Sequence, residues 1–180
     1  MSSRAELVAD AAVTVLARDG LRSLTHRAVD TEAGLPDGST SNCFRSRSAL
    51  LKAIVARLEE LDLAALTSGP EPDLTSVPEL AAYLANNVRL MTSRRHVRAT
   101  RARFALLLDE TARPALDAGH RYFLEMLEAV LKEAGHPDSA AAARAVADLL
   151  EGALVHAVSV RSRRLDVEEL AGAVERLLRR

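Results

Sequence analysis

The sequence predicts an all-α protein of about nine helices. Three observations carry this. Apolar residues recur at helical spacing along most of the chain, glycine and proline fall between the periodic stretches, and no stretch alternates as a strand would. With 180 residues, 48% of them hydrophobic, the chain can bury one sizeable core or join a small module to a larger one.

From Arg4 to Arg18, one helix face holds Leu7, Ala11, Val15 and Arg18, flanked by Val8, Ala12 and Leu16, and Gly20 closes it. Thr25 is an N-cap for "HRAVDTEAG", a short helix with Ala28, Val29 and Ala33 facing inward and Gly34 at its end. Pro36 is suited to start the next helix, "PDGSTSNCF", which has no apolar stripe before Phe44. Ser46 or Ser48 caps a longer helix whose apolar face is Leu50, Leu51, Ile54, Val55, Leu58 and Leu61. Gly69, Pro70, Pro72 and Pro78 mark a loop. Beyond it, Leu80, Leu84, Val88 and Met91 define a helix, and Phe104, Leu107 and Leu108 another that ends near Pro114. Leu116, His120, Phe123, Leu127 and Val130 line a third, stopped by Gly135 and Pro137. An alanine-rich helix from Asp138 to about Val160 carries Val146, Leu149, Leu150, Ala153, Leu154 and Ala157 on one side. Val167, Leu170, Val174 and Leu177 repeat at seam spacing in the last.

Net charge is −1, so nucleic-acid binding would need a local basic patch rather than the overall field. The single cysteine, Cys43, rules out an intrachain disulfide, and no His/Cys cluster has metal-ligand spacing, which implies a reducing, cytoplasmic setting and no metal or cofactor. Glu6 and Asp10 interrupt the first apolar stretch as no signal peptide would allow, and no uncharged run approaches a membrane span. A nucleophile elbow, a zinc-protease pair and a glycine-rich phosphate loop are all missing from the sequence, so it predicts no enzyme.

Chemistry concentrates between Thr25 and Arg57. Two short helices joined by a glycine-containing turn are the helix-turn-helix plan, whose second helix enters the major groove. Ser39, Thr40, Ser41 and Asn42 are short groups suited to phosphates or base edges, and Phe44 anchors their helix. Arg45, Arg47, Lys52 and Arg57 follow with no acidic residue between Phe44 and Arg57. Thr25, His26 and Arg27 open the preceding helix, where free backbone N–H groups favour phosphate. The competing class is a helical protein-interaction module that does not bind DNA, for which this order of small polar groups and arginines has no use.

The stretch Gly20 to Val55 resembles the DNA-binding signature of the tetracycline-repressor (TetR) family, with Thr25, Ala28, Ala33, Gly34, Gly38, Phe44, Arg47, Leu50 and Leu51 where that pattern is strongest. The resemblance implies a homodimeric transcriptional regulator: residues 1–46 as the DNA-binding domain, residues 47–180 as a ligand-sensing and dimerisation domain, and the helix over 47–65 connecting them. It further implies a repressor of a palindromic double-stranded operator, released by a small-molecule ligand of unknown identity. This sequence departs from the family at Pro36, often serine, at Thr40 and Ser41, usually leucine or isoleucine then tyrosine, and at Cys43, more often histidine or an aromatic. Asp37 brings a negative charge to the expected DNA face and should turn aside or cap.

In this family the last two helices of each subunit pair across the dimer, and Leu150, Ala153, Leu154, Ala157, Leu170, Val174 and Leu177 fit that use; packing within the subunit would use them equally well. For a ligand, Asn87, Arg101 and His120 offer polar groups beside apolar Met91, Phe104 and Phe123, while the competing reading makes His120 a satisfied core histidine and Met91, Phe104 and Phe123 core residues. The basic run Arg94, Arg95, Arg98, Arg101 and Arg103 reads as a solvated helix face, in which Arg101, three residues before Phe104, is the member best placed to turn inward and bind an anionic effector.

Overall fold

A computed structural model describes residues 3–66, 76–107, 109–110, 112–159 and 164–179. Among them are nine α-helices and a short 3-10 turn, with no strand. The helices are α1 (Ser3–Asp19), α2 (His26–Ala33), α3 (Ser39–Cys43), α4 (Arg47–Leu66), α5 (Val77–Met91), α6 (Val97–Leu106), α7 (Arg113–Glu133), α8 (Ser139–Val158) and α9 (Val167–Leu178); the 3-10 turn is Leu21–Ser23. No helix of the described residues is long and apolar enough to cross a membrane.

Packing divides the chain into two units, Met1–Ala64 with His96–Asp117, and Ala65–Arg95 with Ala118–Arg180. The first packing unit therefore runs past the 46/47 boundary expected from the sequence and takes in most of α4 and all of α6. Its core joins Val8, Ala12, Val15 and Leu16 of α1 to Leu24, Val29, and Leu50, Leu51, Ile54 and Leu58 of α4, with Ala99, Ala102 and Leu106 of α6. Arg98 on α6 also donates to Thr14 Oγ1 on α1 at 3.0 Å. The second unit has its own core, in which Leu80, Leu84 and Val88 of α5 meet Leu127 and Leu131 of α7, Val146 and Leu150 of α8, and Leu170, Val174 and Leu178 of α9.

Local signals explain most of the helix ends. Thr25 Oγ1 accepts the Ala28 N–H at 3.1 Å, and Gly34 leaves α2 in a left-handed conformation, φ 64°, that glycine adopts without strain. Of the two serines suited to start α4, Ser46 does so, accepting the Ala49 N–H at 3.1 Å. Asp138 and Asp166 cap α8 and α9.

Some expectations are corrected. The helix after Gly34 does not start at Pro36: Pro36 heads a turn closed by the Ser39 N–H, and Gly38 at φ 91° breaks helical geometry, so α3 begins at Ser39. Leu7 is 46% exposed, because α1 fills its core-facing arc with Val8, Ala11, Ala12 and Val15. The helix carrying Phe104 ends at Leu106, and Pro114 lies in the first turn of α7, where its missing N–H costs nothing. Gly69, Pro70, Pro72, Leu108 and Val160 lie outside the described residues, while Pro78 lies in the first turn of α5.

Candidate nucleic-acid interface

α2, the turn over 34–38, α3 and the start of α4 form a helix-turn-helix inside the first unit. At the head of α2, Thr25 and Arg27 are exposed. His26 is half-buried, and its Nε2 is enclosed without a hydrogen-bond partner.

The small polar run is less outward than its composition suggests. Thr40 is 0% exposed and donates its hydroxyl to Asp30 Oδ1 at 2.6 Å. Ser39 is buried and donates to the Pro36 carbonyl at 2.7 Å; Ser41, half-buried, donates to the Gly38 carbonyl at 2.8 Å. Expected as DNA contacts, Ser39 and Thr40 are instead spent on the chain's own turn. A five-residue helix lying on its neighbour must bury one side, and a hydroxyl goes there at little cost once bonded. Asn42 remains exposed on α3, and Arg45 just beyond it. Cys43 is a free, half-buried thiol.

Asp30 is not singled out by the sequence. This carboxylate, 1% exposed, accepts from the backbone N–H of Gly38 at 2.8 Å and of Thr40 at 2.7 Å, besides the Thr40 hydroxyl. Burial alone would raise its pKa, but the hydrogen bonds from Thr40 and Gly38 outweigh it and hold the carboxyl below the usual carboxylate range. Any stability this gives is present above the ordinary carboxylate pKa and lost only as pH falls through the depressed value. Asp37, expected to turn aside or cap, is exposed, and the capping carboxylate is that of Asp30. The signal was there in negative form: Gly38, the residue before α3, has no side chain with which to cap it.

The basic strip also changes in three dimensions. Arg47 donates from its guanidinium to the carbonyls of Leu24 at 2.8 Å and Leu21 at 3.0 Å, which ties the start of α4 to the 3-10 turn. Arg57 donates to Asp10 at 2.7 and 3.1 Å and to Glu60 at 2.9 Å, and these hydrogen bonds raise its pKa further. Asp10, distant in sequence, thus neutralises one end of the strip. Arg27, Arg45 and Lys52 are exposed cations of this unit.

Elsewhere, the inward-turning arginine is Arg103 rather than Arg101. Arg103 pairs with Asp62 of α4, and its Nη1 is enclosed without a hydrogen-bond partner, while Arg101 is exposed. The α6 face buried by Ala99, Thr100, Ala102 and Leu106 explains this, since Arg103 is one turn from Ala99 and Arg101 points away. Burial pushes the Asp62 carboxyl up against the pull of Arg103. Of the other expected ligand residues, Phe104 is half-buried in the first unit; in the second, Asn87, Met91 and Phe123 are half-buried and His120 is exposed. A concavity lined by Val77, Leu131, Ala134, Gly135, His136 and Leu178 contains none of them. Leu150, Leu170 and Val174, expected at a dimer interface, are buried within the chain, because α9 spends its seam on the second core. Ala153, Leu154 and Ala157 are half-buried and Leu177 is 40% exposed.

A helix-turn-helix with polar outward residues, joined to a second helical unit, defines a DNA-binding regulator. Residues 75–180 match the family model described as tetracyclin repressor-like, C-terminal domain, and the chain belongs to the tetracycline-repressor-like (TetR) family of transcriptional regulators. A TetR-family member from Streptomyces coelicolor is 26% identical, with a TM-score of 0.76 over 97% of this chain and 98% of that one. The multidrug binding protein EbrR complexed with ethidium is 26% identical, with a TM-score of 0.71 over 98% of both chains. A TetR-like regulator from Rhodococcus, 17% identical, shares the fold at a TM-score of 0.78 over 99% of this chain and 94% of that one. No curated protein matches the chain by sequence.

Proposed function

We propose that the chain is a homodimeric repressor that reads a palindromic operator through α3 and is released by a small organic ligand. Residues 1–46 carry DNA recognition, and residues 47–180 carry ligand sensing and dimerisation. The observation that supports this best is the exposed polar surface of the helix-turn-helix: Asn42 on α3, Thr25 and Arg27 at the head of α2, and Arg45 just after α3 are all exposed. Asn42 has the amide that pairs with an adenine edge, and the arginines suit phosphates. Ethidium and imidazole in the EbrR structures support a small organic effector here. Release follows if the ligand prefers a conformer whose half-sites no longer match the operator, which requires unequal affinity for the two conformers.

The test is a titration, at two salt concentrations, of DNA holding the palindromes upstream of the protein's own gene. Tight binding that weakens steeply with salt is expected. Arg45→Ala should weaken binding to all sequences alike and lower the salt slope by about one. Weak binding to these and to random duplexes alike, or an Arg45→Ala slope equal to that of the parent, would contradict this assignment.

A further inference from the structure

The exposed face of α3 needs a fixed seat, and α3 cannot supply one itself. Five residues are far too few for a helix to persist alone, and α3 lacks an apolar stripe; Cys43 and Phe44, at its end, only partly bury against the first core. Its N-terminus is held instead by the Asp30 carboxylate, which gathers the Gly38 N–H, the Thr40 N–H and the Thr40 hydroxyl within 2.6–2.8 Å. The same residue's carbonyl accepts the Leu35 N–H at 2.9 Å, so Asp30 fastens both the exit from α2 and the entry to α3. A buried carboxylate is costly unless its oxygens are filled, and here they are filled by α3 and the turn that leads to it.

We propose that Asp30 is a positioning residue for base recognition: without touching DNA, it locks α3 onto α2 in the one register that brings Asn42 to the base edges. This rests on the DNA-binding assignment. Arg27 and Arg45 lie outside the Asp30 cluster, so loosening the lock should leave phosphate attraction in place and erode sequence discrimination.

The experiment begins with duplexes that the wild-type protein enriches from a randomised pool. Their affinity is then compared with that for a scrambled duplex, for wild type, Asp30→Asn, Thr40→Val and Thr40→Ser. Asp30→Asn keeps the shape but turns an amide donor toward N–H donors, and the ratio of specific to scrambled affinity should fall about tenfold or more. Thr40→Val keeps the volume and loses the hydroxyl, and should lower the ratio severalfold. Thr40→Ser restores the hydroxyl and should stay within about twofold of wild type. Scrambled-duplex affinity and its salt slope should hold throughout. An unchanged ratio in both Asp30→Asn and Thr40→Val would overturn the proposal. So would a parallel loss of both affinities in variants that keep the wild-type helical content. Should Asp30→Asn fail to fold, the Thr40→Val and Thr40→Ser pair decides the matter. If the wild-type protein enriches no sequence at all, the DNA-binding assignment itself fails, an outcome distinct from an unchanged ratio.

Discussion

Shortening Leu51 to alanine is expected to cost the first unit about 2–5 kcal/mol. Leu51 is 1% exposed and lies where α4 meets the core shared with α1, α2 and α6. Removing its outer carbons loses their transfer energy and leaves a cavity between close-packed helices that can collapse only in part. For a domain stable by about 5–15 kcal/mol, that is a large share. Urea unfolding should show a midpoint well below wild type. Leu7→Ala is the internal comparison, because Leu7 is 46% exposed, and its change should stay within about half a kcal/mol. Equal effects from the two substitutions would mean that the core is drawn wrongly.

The second large effect concerns the proposed dimer. Val155 on α8 and Leu177 on α9 are 41% and 40% exposed in the single chain, and Ala153, Leu154 and Ala157 of α8 are half-buried. Replacing them together, Val155→Asp with Leu177→Arg, puts charges where the chain alone can hydrate them but a partner helix could not. The single chain should keep its helical content and fold. Sedimentation equilibrium should report a monomer, and affinity for a two-half-site duplex should fall by about a hundredfold or more, because linkage of the half-sites is lost. A variant that stays dimeric would move the interface away from these two positions.

What the sequence made legible was whatever depends on local rules. Thr25 as a cap and Gly34 as a left-handed stop are decided within one turn of helix, and both stand where local rules put them. The apolar face of α4 needs only a period of 3.6 residues. The failures share a cause, which is that contact partners lie far apart in the chain. Nothing local distinguishes Asp30 from an ordinary surface carboxylate on a short helix; its burial depends on a turn eight to ten residues later. Asp10 reaches Arg57 across 47 positions and removes a cation from a strip that is uninterrupted in sequence. The α9 seam was legible as a seam, but whether α5 of the same chain or a second copy fills it is a tertiary matter. Leu170 and Val174 go to the chain's own core. Arg101 and Arg103 differ by two positions on one helix, and only the direction of the α1–α6 contact decides which turns inward.

Whether α3 reads DNA through Asn42 is decided by parallel selection from a randomised duplex pool with the wild-type protein and Asn42→Ala. A palindromic consensus is expected for wild type, and for the variant the same palindrome with one symmetry-related pair of positions degenerate, at a cost of about 1–3 kcal/mol in discrimination there. An identical consensus from both proteins would contradict it.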